Sequence, residues 1–206
     1  GIMHMEEGLD TGPIILESAV KIEINDNLTS LSEKLSSISG ELLVEAIDNL
    51  KNTLSLSQEE RLRYLGAKNQ EDISINSTYA RQIHKDDFLV NWDSDTNVIH
   101  NQIRGLYPNA YTFYKGKRLK VHKARPIANQ YFLNDQIKFH ALSQFLTSQL
   151  SKNGQVISAD NKFGFIVKTK DIPLLIESGQ VEGRKISSGD ILSAQLGIKE
   201  SSLLGS

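Results

Sequence analysis

Past Pro108 the sequence stops repeating in threes and fours and begins to alternate in twos. "AYTFYKGKRLKV" reads as two strand-like runs joined at Lys115-Gly116-Lys117, which predicts a hairpin. The runs "GQVISA", "FGFIVKT" and "IPLLIE" follow, separated by turns rich in Asn, Gly, Asp and Lys. Several short strands at this spacing close most readily into a small barrel. Residues 129–153 interrupt the pattern as a less regular insert, and no internal repeat is visible.

Upstream the rhythm differs. Ile2, Met3 and Met5 suggest a short strand entering a turn from Gly8 to Gly12, and Val20, Ile22 and Ile24 alternate with Lys21 and Glu23 as a half-buried strand would. Leu28, Leu31, Leu35, Ile38, Leu42, Ala46 and Leu50 then recur at steps of three and four, which predicts a helix over about 27–50. Ser30 and Glu33 offer it a capping box. It reads as the last helix of an α/β layer. Residues 53–78 are polar, rich in Gln, Asn and Ser, and read as a linker with one helical turn near Glu59–Tyr64. A second helix is expected over about 96–106, capped by Asp93 or Asp95 and stopped by Pro108.

Composition excludes several function classes. With no cysteine there can be no disulfide, thiolate nucleophile or cysteine-ligated metal, and a cytoplasmic home is expected. No apolar run approaches the ~20 residues of a membrane span, and the first residues show no basic region followed by an apolar stretch, so neither membrane nor secretion is expected. None of His4, His84, His100, His122 and His140 lies three or four residues from another, so no helical metal pair is expected and no metal is assigned. Trp92 reads as a core anchor, and Tyr107, Tyr111, Phe113 and Tyr114 as packing residues that could also stack on bases.

Charge is unevenly placed. The formal net charge is −2, yet from Thr96 to Asn134 there is no Asp or Glu and there are seven basic residues: Arg104, Lys115, Lys117, Arg118, Lys120, Lys123 and Arg125. Such asymmetry points to a polyanionic partner for one part of the chain. About half of these cations are expected simply to be solvated. Arg118 and Lys120 alternate with Leu119 and Val121, giving a strand with one basic face, whereas Arg104 follows a helical pattern and could instead tie its helix to the barrel.

"EEGLDTGP", Glu6 to Pro13, sets Asp10 and Thr11 between Gly8 and Gly12. Flanking glycines let a backbone turn sharply and come close to a ligand, so a carboxylate there can be held beside a substrate. The same residues also suit a surface turn in which Asp10 bonds its own backbone.

"MEEGLDTGPII" closely resembles a signature of the formyltetrahydrofolate-dependent formyltransferases. "YARQIHKDDFLVNW", "IRGLYPNAYTFYKGKRLKV" and "GRKISSGDIL" resemble the lead-in, the body and the closing strands of the C-terminal domain of the methionyl-tRNA formyltransferases. The resemblance covers nearly the whole chain and is weakest at 129–153. It implies the tail of a Rossmann-like α/β domain over 1–52, a linker over 53–78, and an OB-like β-barrel that binds tRNA over 79–206. Because "GLDTG" falls late in the first domain of that family, the chain is expected to be a C-terminal part of a longer enzyme, inactive alone.

The implied reaction moves a formyl group from 10-formyltetrahydrofolate to the methionyl amine of initiator Met-tRNA. Asp10 would be the catalytic carboxylate, with Gly8, Thr11 and Gly12 supporting its turn. Arg104, Lys117, Arg118, Lys120, Lys123 and Arg125 would meet the tRNA. The family's catalytic Asn and His have no match, since His4 precedes Asp10 too closely, and the folate loop lies mostly outside this chain. A monomer is expected. The alternatives are another enzyme with the same donor, formylating a sugar amine or glycinamide ribotide, and a non-catalytic RNA-binding module.

Overall fold

The computed structural model describes residues 1–70, 78–147 and 152–205 of the chain, which divides into two compact units, one of residues 1–23 and 29–82 and one of residues 24–28 and 83–206. Among the described residues no helix is long and apolar enough to cross a membrane.

In the first unit β1 (Ile2–Met3) pairs antiparallel with β2 (Ile14–Leu16), in the register Ile2 to Leu16 and Met3 to Ile14. Residues 17–27 form no strand, and Ile22 is 59% exposed. The alternation of Val20, Ile22 and Ile24 was a misleading signal: period two puts side chains on two faces, but a strand also needs a neighbour for its backbone groups. Helix α1 (Leu28–Lys51) follows, within a residue of its expected limits. Starting at Leu28, it places Ser30 inside the first turn rather than at the cap. Thr53 ends it, donating both its N–H (2.9 Å) and its hydroxyl (2.8 Å) to the Leu50 carbonyl.

Part of the stretch read as a linker is ordered. Helix α2 (Gln58–Tyr64) begins at a capping box in which Ser57 accepts from the Glu60 N–H, while a Glu60 carboxylate oxygen accepts the Ser57 N–H at 3.0 Å. Residues 71–77 of that stretch lie outside the described residues.

The second unit is built on an antiparallel sheet of β3 (Tyr111–Tyr114), β4 (Lys117–Pro126), β5 (Val156–Asn161), β6 (Gly164–Val167), β7 (Leu174–Val181) and β8 (Ser187–Ser188). The strand order is β3-β4-β7-β6-β5, with β8 on β7. The hairpin falls where expected: Tyr114 pairs Lys117, and the two residues between them, Lys115 and Gly116, have φ of 50° and 71°. Positive φ at both positions matches the twist of the flanking strands. The outer strands are joined by residues beyond the helices. Leu204 N–H donates to the Gly154 carbonyl (2.9 Å) next to β5, and Gly205 N–H donates to Phe113 of β3 (2.8 Å).

Helix α3 (Thr96–Gly105) packs Ile99 and Ile103, both fully buried, into the core that Trp92, Leu119, Val121, Phe165, Val167, Leu174 and Ile176 share. Each such side chain contributes about 1.5–3 kcal/mol relative to exposure. Asp95 is the N-cap residue, but its side chain makes no capping bond. Asp171 takes the role from far along the chain, accepting the Thr96 N–H at 2.8 Å. Burial works against its charged form, yet the bonds from Thr96 prevail and hold the carboxyl below its ordinary range.

The insert has a structural task. Helix α4 (Gln136–Ser143) and the turns around it carry Phe132 and Leu142 onto Ile127, Ile166 and Leu175, making a second core on the opposite face of β6 and β7. These strands are apolar on both faces, which is why they read as continuous runs. Residues 148–151 of the insert lie outside the described residues. After β8, residues read as closing strands instead form helix α5 (Gly189–Leu196).

Candidate functional site

The loop between β1 and β2 holds the Asp10 turn. His4 N–H donates to the Pro13 carbonyl at 2.9 Å and closes the loop at its base. Gly12 is a steric requirement: a Cβ there would lie 1.7 Å from the His4 carbonyl oxygen. At Gly8 a Cβ would lie 2.5 Å from Thr11 Oγ1, so the Thr11 side chain fills the space that this glycine leaves. Asp10 itself has φ of 55°, the left-handed region that Asp and Asn tolerate best after glycine, and its side chain is exposed. The turn thus presents one carboxylate outward from a base fixed by backbone packing.

Sequence reading missed the residue that braces this base. Gln70 Nε2 donates to the Gly12 carbonyl at 2.7 Å, and Ile14 and Lys68 exchange backbone bonds of 2.8 and 2.9 Å. Lys68 also pairs with Glu17 at 2.6 Å. An isolated bridge of this kind has no periodicity, so no pattern in "AKNQ" announces it.

The basic residues separate into three groups. Lys115, Lys117 and Arg118 are exposed on the β3–β4 hairpin, with Lys120 half-buried on the same strand. Arg118 lies 5.7 Å from the Tyr111 ring centre, and Tyr111 meets Phe113 edge-on at 5.5 Å. Lys120 donates to Asn109 Oδ1 at 3.0 Å. Cations and aromatic rings therefore interleave on two paired strands, a surface suited to phosphates and unstacked bases.

Lys123 and Arg125 belong elsewhere. A bulge in β4 around Lys123 breaks the alternation, and both turn to Glu177, a buried carboxylate on β7. Glu177 is 2.5 Å from Lys138 Nζ, 3.4 Å from Arg125 Nη2 and 3.7 Å from Lys123 Nζ. Arg125 also stacks over Phe132 at 5.0 Å and donates to the Tyr131 carbonyl at 3.3 Å. This knot anchors the insert to the sheet.

Arg104, on α3, donates to Asn101 Oδ1 (2.9 Å) and to the Asp26 carbonyl (3.3 Å). The structure thus gathers Arg118 and Lys120 on one face of β4, with Lys117 next to them at the hairpin end, and places Arg104, Lys123 and Arg125 apart from it. Among the described residues no set of three His, Asp or Glu side chains converges as metal ligands would.

Comparison with known proteins places this geometry in a family. Residues 82–195 match the model of the formyl transferase C-terminal domain. A methionyl-tRNA formyltransferase of Prochlorococcus marinus is 41% identical over 203 residues, covering 98% of this chain and 59% of that protein. Another protein so named, from Parasynechococcus marenigrum, is 37% identical over 209 residues, covering all of this chain and 60% of the relative. The chain spans about three fifths of the length of the curated relatives it matches. Among solved structures, a variant of HypX from Aquifex aeolicus superposes with a TM-score of 0.56 at 14% identity, over 96% of this chain and 30% of that one, a likeness of fold. Since the C-terminal domain match takes in more than half of the sequence, the chain belongs to the formyl transferase family.

Proposed function

We propose that the chain serves a methionyl-tRNA formyltransferase, which moves a formyl group from 10-formyltetrahydrofolate to the methionyl amine of initiator tRNA. The observation that carries this reading is the reach of the similarity: relatives of that name align over 98% of the chain, spanning both the Asp10 turn and the sheet.

In this reaction the amine attacks the formyl carbon and negative charge develops on the former carbonyl oxygen. Positioned donors must meet that charge, and an Asn and a His supplied upstream of Gly1 in the enzyme would do so. Asp10 has a different task. It orients the His, favours its charged form and helps carry the proton away from the attacking amine. Its exposure on a braced turn suits a carboxylate that meets a group outside the loop. Gly8, Thr11 and Gly12 shape the turn. The donor's pterin ring is assigned no residue of this chain.

The hairpin cations Lys117, Arg118 and Lys120 are the proposed first contact with tRNA, with Arg104, Lys123 and Arg125 acting behind them. We read residues 1–52 as the tail of a Rossmann-like domain, 53–78 as a linker and 79–206 as an OB-like barrel, working as a monomer in the cytoplasm. The backbone bonds joining β3 to β5 through Leu204 and Gly205 support the barrel.

The test is a formyl-transfer assay with 10-formyltetrahydrofolate and charged initiator tRNA, using the polypeptide purified from its source cells. Formylmethionyl-tRNA is the expected product. Binding of tRNA without transfer would replace the enzyme with a non-catalytic RNA-binding module, and transfer to a sugar amine or glycinamide ribotide alone would redirect the substrate.

A further inference from the structure

The end of the sheet that carries the hairpin holds more cations than the hairpin itself. Register sets three strands side by side there: Tyr111 of β3 faces Lys120 of β4, and Lys120 faces Gln180 of β7. Residues directly opposite in an antiparallel pair share a face, so these three form one row across the sheet. Two strand spacings, about 10 Å, carry that row from β3 to β7.

The row continues into the turn between β7 and β8. Glu182 N–H donates to the Arg118 carbonyl at 3.0 Å, and Arg184 N–H to the Val181 carbonyl at 2.9 Å. Gln180 Nε2 donates to the Arg184 carbonyl at 2.9 Å, so the residue opposite Lys120 ties the turn to the same face. Arg184 and Lys185 stand in this turn, both exposed, and among the described residues neither makes an ion pair.

A groove of about 220 Å³ runs beside the turn, lined by Arg118, Lys120, Gln180 and Glu182. It is smaller than the ~300 Å³ at which small-molecule sites begin, so it suits a stretch of an extended polyanion rather than a whole ligand. Glu182 is the one carboxylate in its lining. Arg118, Lys120, Arg184 and Lys185 outnumber that acid and leave the face positive. Tyr111 and Phe113, half-buried on β3, set aromatic rings beside the cations, which favours nucleic acid over an acidic polypeptide.

We propose that Arg184 and Lys185 extend the hairpin surface into a track for an RNA backbone, which crosses β3, β4 and β7 and ends over the turn between β7 and β8. The track deepens the proposed function and rests on tRNA being the partner. Phosphates that reach Arg184 and Lys185 pass Glu182, whose charge opposes them.

The experiment measures tRNA affinity of the full chain across a salt series by filter binding. Replacing Arg184 and Lys185 together by Gln should flatten the slope of log affinity against log salt by about 1.5, apart from the share of the hairpin cations. Glu182→Gln removes the opposing charge and should tighten binding about twofold. Lys170→Gln, before the opposite end of β7, should change neither.

A steep wild-type slope that the Arg184 and Lys185 replacements leave intact would overturn the track and spare the tRNA reading. A wild-type slope near zero would overturn both. Displacement of bound tRNA by poly-glutamate as effective as by unlabelled tRNA would overturn the choice of RNA.

Discussion

The Gly205 N–H donates to the Phe113 carbonyl at 2.8 Å, so the residues after α5 bond to β3, at one end of the strand order. The same segment reaches β5 at the other end, where Ser201 N–H donates to Val156 (2.8 Å) and Val156 N–H to Ser202 (2.8 Å). Removing residues 201–206 should therefore open two strand edges at once. The lost backbone bonds and the burial of Leu204 together amount to roughly 5 kcal/mol, a large share of a domain's stability. Urea unfolding should show that drop, and light scattering should show self-association through the freed edges. A monomer of unchanged stability would mean that the segment closes nothing.

Asp10→Asn isolates chemistry from shape. Asn adopts a φ of 55° as readily as Asp, so the turn should keep its geometry. In an enzyme containing the whole catalytic site, the turnover number should fall at least about a hundredfold, with KM for tRNA nearly unchanged. Near-normal turnover would remove Asp10 from the mechanism.

Salt tests the hairpin face. If Lys115, Lys117, Arg118 and Lys120 each meet a phosphate, log affinity for tRNA should fall with log salt at a slope of about −3. Replacing the four by Gln should flatten the slope by nearly that amount. Filter binding across a salt series measures both, and a wild-type slope near zero would exclude tRNA from this surface.

His100 makes stability depend on pH. Its burial, then the charges of Arg104 and Arg125, lower its pKa from 6.5 to about 4, with Glu177 opposing. The unfolded chain therefore takes up this proton first as pH falls. Stability should be full above about pH 7 and decline from about pH 6.5 towards pH 4, by up to about 3 kcal/mol from this group. Urea midpoints between about pH 7 and pH 5 should show the slope, and His100→Phe should reduce it.

Legibility in the sequence followed the range of each interaction. Helix α1 and the Lys115–Gly116 hairpin were readable because neighbouring residues specify them. The cap of α3 was not, because Asp171 reaches Thr96 across the fold and the nearer Asp95 pairs with Lys170 at 3.0 Å instead. Helix α4 gave no periodic signal because it is short and its Ile137, at 88% exposure, faces away from the core it covers. Of the site, Asp10 and its glycines stood out as local turn chemistry, whereas Gln70 and the cation knot on Glu177 exist only once distant segments meet.

The two-sided burial of β6 and β7 leaves register under-determined by hydrophobicity. A slip by one residue would exchange one greasy face for the other and expose little to water, unlike the usual case in which it turns the core outward. Gly164 supplies the missing constraint. Its φ is 132°, and a Cβ there would stand 1.9 Å from the Ile176 carbonyl oxygen. A slip by one residue brings Phe163 or Phe165 to that point, where neither fits. Alignment of these strands is thus a lock with a single pin, and the pin is the absence of a side chain.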